Sequence, residues 1–576
     1  MFLRLSRSVI RKNVPLLALS AFLAAAPVPK VSISEQDQEQ RYLEDLKYLA
    51  APEMEGRGAG TAGLERASDY IAAQFKRLAL QPVGDKGAYK QDFFVTTDPK
   101  LGPNNSLRID SQTLRLNQDF RPISFSSNAQ ISSDKVVFAG YGITSRKHSY
   151  DDYAGIDVRN KVVIVERFEP PRFSHLEAGK PPVYSTNAYL VNKAINARNH
   201  GAAAMILING EGEKDELLEF GKTAGPDDAG LPIIHIKRNF IAVLKSSPRV
   251  NLRVEIERPQ TRVHNVLGYL PGKSSQYIVI GAHYDHVGYG YQNSLAPETA
   301  GRVHPGADDN ASGTAGLLTL ARIFAQQRSG LDKGILFAAF AGEELGLLGS
   351  ENWVNHPTLP LQNAVAMINL DMIGRANGGK LFIGGVKTGS TFEELVKDAI
   401  AKYEFKVEYS FKDSTASDHA SFLGKRIPSL FFFSGLHGDY HRPTDTWDKI
   451  DTHDASKIVD AVADVTSGLA SAGERPTFVK ARTNAGRRGR GPYLGITPDF
   501  IPGDKGVRVV EVASESPAEK AGLQEGDLIV SLGGAPMFNL YDLTYALHDH
   551  EARDVVEIRL LRGSTAVTTT ATLEKR

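Results

Sequence analysis

The sequence predicts an α/β protein with a mixed, mainly parallel sheet flanked by helices, a β-rich insert, and a small C-terminal α+β module. Between residues 276 and 448, four short apolar runs (277–280, 335–340, 364–370 and 428–433) alternate with helical segments. Apolar runs of that length suit strands buried on both faces, as in a parallel sheet. Residues 119–257 change to short β-rich runs, and a Gly/Arg-rich stretch separates residues 491–576 from the rest. At about 150 residues per domain, 576 residues allow three or four domains.

Composition narrows the function. Lys and Arg number 67, as do Asp and Glu, so no basic field points to nucleic acid and no acidic excess to disorder. With no cysteine in the chain, disulfides, Cys-bound metals and thiol nucleophiles are excluded, and any metal must be held by His, Asp and Glu.

Taken in order, Arg4, Arg7, Arg11 and Lys12 precede an apolar stretch at 14–26 that ends in alanines. This is the order of a secretory signal, and the stretch is shorter than the ~20 apolar residues a membrane span needs. Residues 1–26 are therefore expected to direct export to a secreted or periplasmic location. Cleavage would leave no stable membrane span and a net charge of about −4. Leu64, Ala67, Tyr70, Ile71, Phe75 and Leu78 line one face of a helix. Ahead of it, Glu55-Gly56-Arg57-Gly58 and Gly60-Thr61-Ala62-Gly63 lack the Lys-Ser/Thr pair and the preceding strand of a phosphate loop, and read as an ordered turn.

Within 119–257, the runs 136–138, 161–165, 203–208 and 233–236 read as strands. Ala188, Val191, Ala194 and Ile195 read as a helix that stops at Gly201. His200 and His235 are expected to be structural. Residues 471–490, with Arg475, Lys480, Arg482, Arg487, Arg488 and Arg490 among Gly, Pro and Ala, read as an exposed, self-repelling linker.

Each of the four apolar runs stops at residues able to bind metal: His283 and Asp285; Glu343 and Glu344; Asp371; and the loop with His437, Asp439, Tyr440 and His441. In open α/β sheets ligands gather beyond the carboxyl ends of the strands, so the four loops should converge. Asp309, in Gly306-Ala307-Asp308-Asp309-Asn310-Ala311-Ser312-Gly313, is a fifth candidate. Two imidazoles and three carboxylates suit zinc, and serve two ions if one carboxylate bridges.

The segments His283-Tyr284-Asp285-His286, Gly306 to Gly313, Ala341-Gly342-Glu343-Glu344-Leu345-Gly346, Asn369-Leu370-Asp371-Met372 and Tyr440-His441-Arg442-Pro443-Thr444-Asp445 resemble, in order, the co-catalytic di-zinc aminopeptidases of clan MH. Glu55-Gly56-Arg57 matches that group's N-terminal segment. The resemblance implies two Zn2+ ions per chain, one on His283, Asp309 and Asp371, the other on Asp309, Glu344 and His441. It implies Glu343 as general base and Tyr440 as donor to the oxyanion; Asp285 is expected to fix the His283 tautomer. The region around Asp418-His419 resembles a family segment near the pocket, with His419 structural or supporting. Peptides are the implied substrates, hydrolysed from the N-terminus. A glutaminyl cyclase or carboxypeptidase of the same fold, or an inactive receptor or scaffold, are the alternatives.

Residues 119–257 resemble a protease-associated (PA) domain through Gly140-Tyr141-Gly142, Asn160 to Ile164 and Ala197 to Ala203. The peptidase-like domain would then comprise 27–118 and 258–470. Residues 491–576 resemble a PDZ domain of the bacterial protease type through Tyr493-Leu494-Gly495-Ile496, Ser516 to Leu523 and Gly526 to Ile529. The resemblance places Tyr493, Leu494, Gly495 and Ile496 at a loop that receives a protein or peptide C-terminus.

Overall fold

A computed structural model describes residues 34–97, 99–174, 184–221, 225–246, 249–291, 293–296, 299, 301–410, 417–479, 491–498, 506–513 and 515–575. The expected export signal lies outside these, as does the linker beyond residue 479.

The central sheet has nine strands: β1 (Gln81–Pro82), β2 (Lys90–Thr96), β3 (Gln260–Leu270), β4 (Tyr277–His283), β5 (Gly334–Phe340), β6 (Ala364–Leu370), β7 (Lys380–Gly384), β8 (Lys406–Ser410) and β9 (Ser429–Phe433). Their order is β1-β3-β5-β4-β6-β9-β7-β8, with β2 also paired to β3. The ladders β5–β4, β4–β6 and β6–β9 are parallel, and these four strands are the apolar runs of the sequence. Antiparallel pairing enters on either side, at β3–β5 and β7–β9.

Both faces are covered, which is why the runs are continuously apolar. Ile278, Ile280 and Ala282 of β4 join a core with the helices Glu35–Leu49, Ala62–Arg77, Gly313–Ala325 and Thr452–Ser471. Tyr277 and Val279 turn to the opposite core, with Trp353 and Phe422 from the helices Leu348–Asn355 and His419–Gly424. Each Leu, Ile or Phe so buried contributes about 1.5–3 kcal/mol. Side chains of Ser34, Thr61 and Asp451 cap three of the helices by accepting the N–H of Asp37, Leu64 and Asp454.

Among the described residues the insert is built on two larger sheets, with two short two-stranded ladders beside them. One runs Phe120–Pro122, Ile233–Ile236, Ala204–Ile208, Val162–Glu166, Val136–Phe138; the other runs Gln112–Leu114, Ser106–Ile109, Val250–Val254, Ala129–Ser133. The second sheet shifts the boundary read from the sequence. Residues 100–101 pair with 256–257, 106–109 with 250–253, and 112–114 with 107–109, so these strands hydrogen-bond with the insert.

The first half of the expected free linker is also tied down. Arg475 donates to the carbonyls of Gln362 and Ala364, and Val479 N–H donates to Thr388 O. The C-terminal module, a sheet of Ile496–Pro498, Val507–Val512, Leu528–Leu532, Val555–Arg562 and Thr565–Thr572, presents its Leu540–His548 helix to the insert's Leu190–Asn199 helix. There Arg198 pairs with the buried Asp542, and its guanidinium lies 4.5 Å from the centre of the Phe538 ring. Tyr545 packs against the insert's core, and Thr186 Oγ1 lies 2.7 Å from His548 Nε2.

Candidate metal centre

Parallel strands bring the carboxyl ends of β5, β4, β6 and β9 to one edge, and with them the side chains singled out from the sequence. His283 ends β4. Its Nδ1–H donates to the Asp285 carbonyl at 3.2 Å, leaving Nε2 3.3 Å from Asp371 Oδ1, 3.5 Å from Asp309 Oδ1 and 3.9 Å from Glu343 Oε2. His441, from the loop after β9, donates through Nδ1 to Asn293 O at 2.6 Å. Its Nε2 lies 3.0 Å from Glu344 Oε2 and 3.1 Å from Asp309 Oδ2. One oxygen of Asp309 thus faces each imidazole. Two groups with mutually close donor atoms result: His283, Glu343 and Asp371; and His286, Asp309, Glu344 and His441.

Several buried contacts aim these groups. Asn310 accepts the N–H of Gly313 and Met372 and donates to Leu370 O, joining the Asp309 turn to the Asp371 loop. Asp308 points away from the centre: it accepts from Gly374 N–H at 2.7 Å and lies 3.1 Å from His437 Nε2. Asp445 Oδ2 accepts the N–H of both Asp308 and Asp309. Arg57, fully buried, donates to the carbonyls of Tyr284, Leu49, Pro305 and Gly306 at 2.7–2.8 Å, tying the loops of His283 and Asp309 to the N-terminal segment. The Gly-rich turn serves this clamp, since a Cβ on Gly56 (φ +58°) would lie 2.4 Å from His304 O.

Asp285 departs from expectation. Its carboxylate is 3.8 Å from the His283 ring nitrogen, and its own backbone carbonyl orients the imidazole. The carboxylate instead accepts the N–H of Glu343 and Glu344. Spacing in the sequence cannot separate a carboxylate acceptor from the carbonyl of the same residue. Tyr440 stacks on His441, with ring centres 3.9 Å apart. His419 stacks on Phe431, His200 on Tyr153, and His235 accepts the N–H of Leu218, so these three serve packing and backbone satisfaction. Arg57, His286, Asp308 and Asp445 were not given roles from the sequence. Of these only His286, three residues after a strand-end His, carried a usable signal.

Electrostatically the centre calls for cations. Among the described residues, every ion pair of Asp309, Glu343, Glu344 and Asp371 is with a histidine. Burial lowers the proton affinity of His441, yet hydrogen bonds to Asp309 and Glu344 outweigh it and hold the ring's pKa up to about 11. His283 is raised too, its burial outweighed by Glu343, Asp371 and Asp309. Burial pushes Glu343 well above the usual carboxylate range despite the counter-pull of His283. Carboxylate and imidazole donors gathered in this way fit zinc.

Against known families, residues 265–466, which contain all of these strand-end ligands, match Peptidase family M28. The match takes in about a third of the chain. The M28 domain is a metallopeptidase domain; residues 131–244 are a PA domain and 492–573 a PDZ domain. Aminopeptidase YwaD of Bacillus subtilis is 28% identical over 306 residues, 51% of this chain and 63% of that protein. An aminopeptidase of Pseudomonas aeruginosa is 24% identical over 447 residues, 74% of this chain and 76% of the other. Among solved structures, a zinc aminopeptidase from Bacillus subtilis aligns at 23% identity and a TM-score of 0.47, over 77% of this chain and 98% of that one.

Proposed function

We propose that the protein is an exported aminopeptidase that removes N-terminal residues from peptides at a two-zinc centre. The observation that carries this reading is Asp309, whose two oxygens lie 3.5 Å from His283 Nε2 and 3.1 Å from His441 Nε2, as a bridging carboxylate would. His283, Asp309 and Asp371 would hold one ion, and Asp309, Glu344 and His441 the other. Bound there, zinc supplies Lewis-acid polarisation of the scissile carbonyl and makes water more acidic.

The remaining steps fall to the chain itself. Glu343 has no lysine or arginine ion pair among the described residues, and its raised proton affinity suits a general base that takes the proton of the attacking water and returns it to the leaving amine. Tyr440 keeps its hydroxyl proton, because burial and the neighbouring carboxylates raise its pKa, and donates to the oxyanion. Asp285 holds the backbone of the glutamate pair. The PA domain would border the cleft. The PDZ loop at Tyr493, Leu494, Gly495 and Ile496 would receive a peptide C-terminus.

The test joins metal content by mass spectrometry to hydrolysis of leucine p-nitroanilide by wild type and Glu343→Ala. Two zinc ions in both proteins, with activity at least about 100-fold lower in the variant, is the expected result. One zinc and no amide hydrolysis would point to the cyclase; a metal-free wild type would point to the receptor or scaffold.

A further inference from the structure

We propose that His286 is a sixth protein ligand of the metal centre, completing four donors around the ion on the Glu344–His441 side. The inference rests on the two-zinc reading and adds an imidazole to the five-residue ligand set implied for the family.

His286 follows β4 by three residues, and its side chain has no solvent exposure. Nδ1 lies 2.7 Å from Glu344 Oε1 and 3.6 Å from Asp309 Oδ2, so the ring approaches the same two carboxylates as His441. The two rings stand nearly perpendicular, at 81°, with centres 5.5 Å apart. Donor atoms from His286, Asp309, Glu344 and His441 all lie within 4.8 Å of one another.

The surroundings are shaped for that ring. Its backbone N–H donates to Arg57 O at 3.2 Å, so the Arg57 clamp also fixes this residue. A Cβ on Gly306 (φ +56°) would lie 2.4 Å from His286 Cδ2, so glycine is what leaves the ring its place. Nε2 is buried without a hydrogen-bond partner, so Nδ1 alone engages the centre. With Nδ1 as the lone-pair donor, the ring proton resides on Nε2.

Four protein donors give the coordination of a closed zinc site, whereas catalytic sites keep a position open. The two halves of the centre are then unequal, and the open position falls on the His283–Asp371 side, where Glu343 lies.

The test titrates the metal-free full chain with zinc in competition with a chromophoric chelator, for wild type, His286→Ala and His286→Gln. Zinc X-ray absorption is then recorded on the two-zinc wild type to count imidazoles. Expected are two ions in the wild type, about three imidazoles per zinc pair, and one of the two affinities weakened about 10–100-fold in both variants with the other unchanged. Two imidazoles per pair in the wild type overturn the inference without recourse to a variant, as do unchanged affinities in both variants. A wild type that binds no zinc overturns the metal centre itself, and the inference with it.

Discussion

Asp285 holds Glu343 by its backbone: the carboxylate oxygen Oδ1 accepts the Glu343 N–H at 3.2 Å, and Oδ2 takes the Glu344 N–H at 3.3 Å. Asp285→Asn replaces one acceptor by an N–H donor that would face a backbone N–H. The variant should keep its zinc while kcat for leucine p-nitroanilide falls about 10–100-fold. Parallel assays of zinc content and kcat check this; loss of zinc with normal turnover per bound ion would contradict it.

Arg57 makes a second prediction. Its buried guanidinium donates to four carbonyls at 2.7–2.8 Å, and Lys cannot span that fork. Arg57→Lys should lower stability by about 2–4 kcal/mol, because buried carbonyls lose their donors, and should weaken zinc binding. Urea unfolding of the metal-free proteins measures the first effect and chelator competition the second.

Zinc binding should weaken as pH falls. In the metal-free protein His441 titrates near 11 against about 6.5 when unfolded, so at neutral pH its proton must leave before zinc enters. Raised in the folded state, this group stabilises the metal-free fold fully below about pH 6.5, and that contribution is lost as pH rises toward 11. Calorimetry in buffers of different ionisation enthalpy should show proton release on zinc binding near pH 7, with affinity rising between pH 6 and 8. His441→Gln should remove one of the released protons.

The contact between the PDZ and PA domains gives a fourth prediction. Arg198 and Asp542 are 10% and 1% exposed, so removing one partner strands the other. Asp542→Ala should separate the unfolding of the PDZ domain from the rest, giving two transitions in scanning calorimetry where the wild type gives one. Turnover of leucine p-nitroanilide should stay within about twofold, the centre being untouched.

What the sequence revealed follows from where burial leaves a trace. Strands covered on both faces must be apolar throughout, so 277–280 and 364–370 stood out, and residues at their carboxyl ends had to converge. The short strand Ser106–Ile109 buries only Leu107 and Ile109, too weak an alternation to show that its segment belongs to the insert. Arg57 looked like one residue of a glycine turn because its partners are backbone carbonyls, which have no sequence identity. The choice of Asp309 over Asp308 came through the resemblance, and the structure turns Asp308 toward Gly374 and His437.

The pairing of β2 with β3 has a further meaning for how such a chain is assembled. Thr96 lies opposite Gln260, and the N–H of Thr97 donates to Pro259 O at 2.9 Å, so the PA-bearing segment leaves and re-enters the catalytic sheet at neighbouring points. Everything between is topologically one long hairpin loop, and closing a longer loop adds little entropic cost, about 0.6 kcal/mol per doubling of its length. An interchangeable cassette can occupy such a position without altering the registers of the strands that carry the ligands.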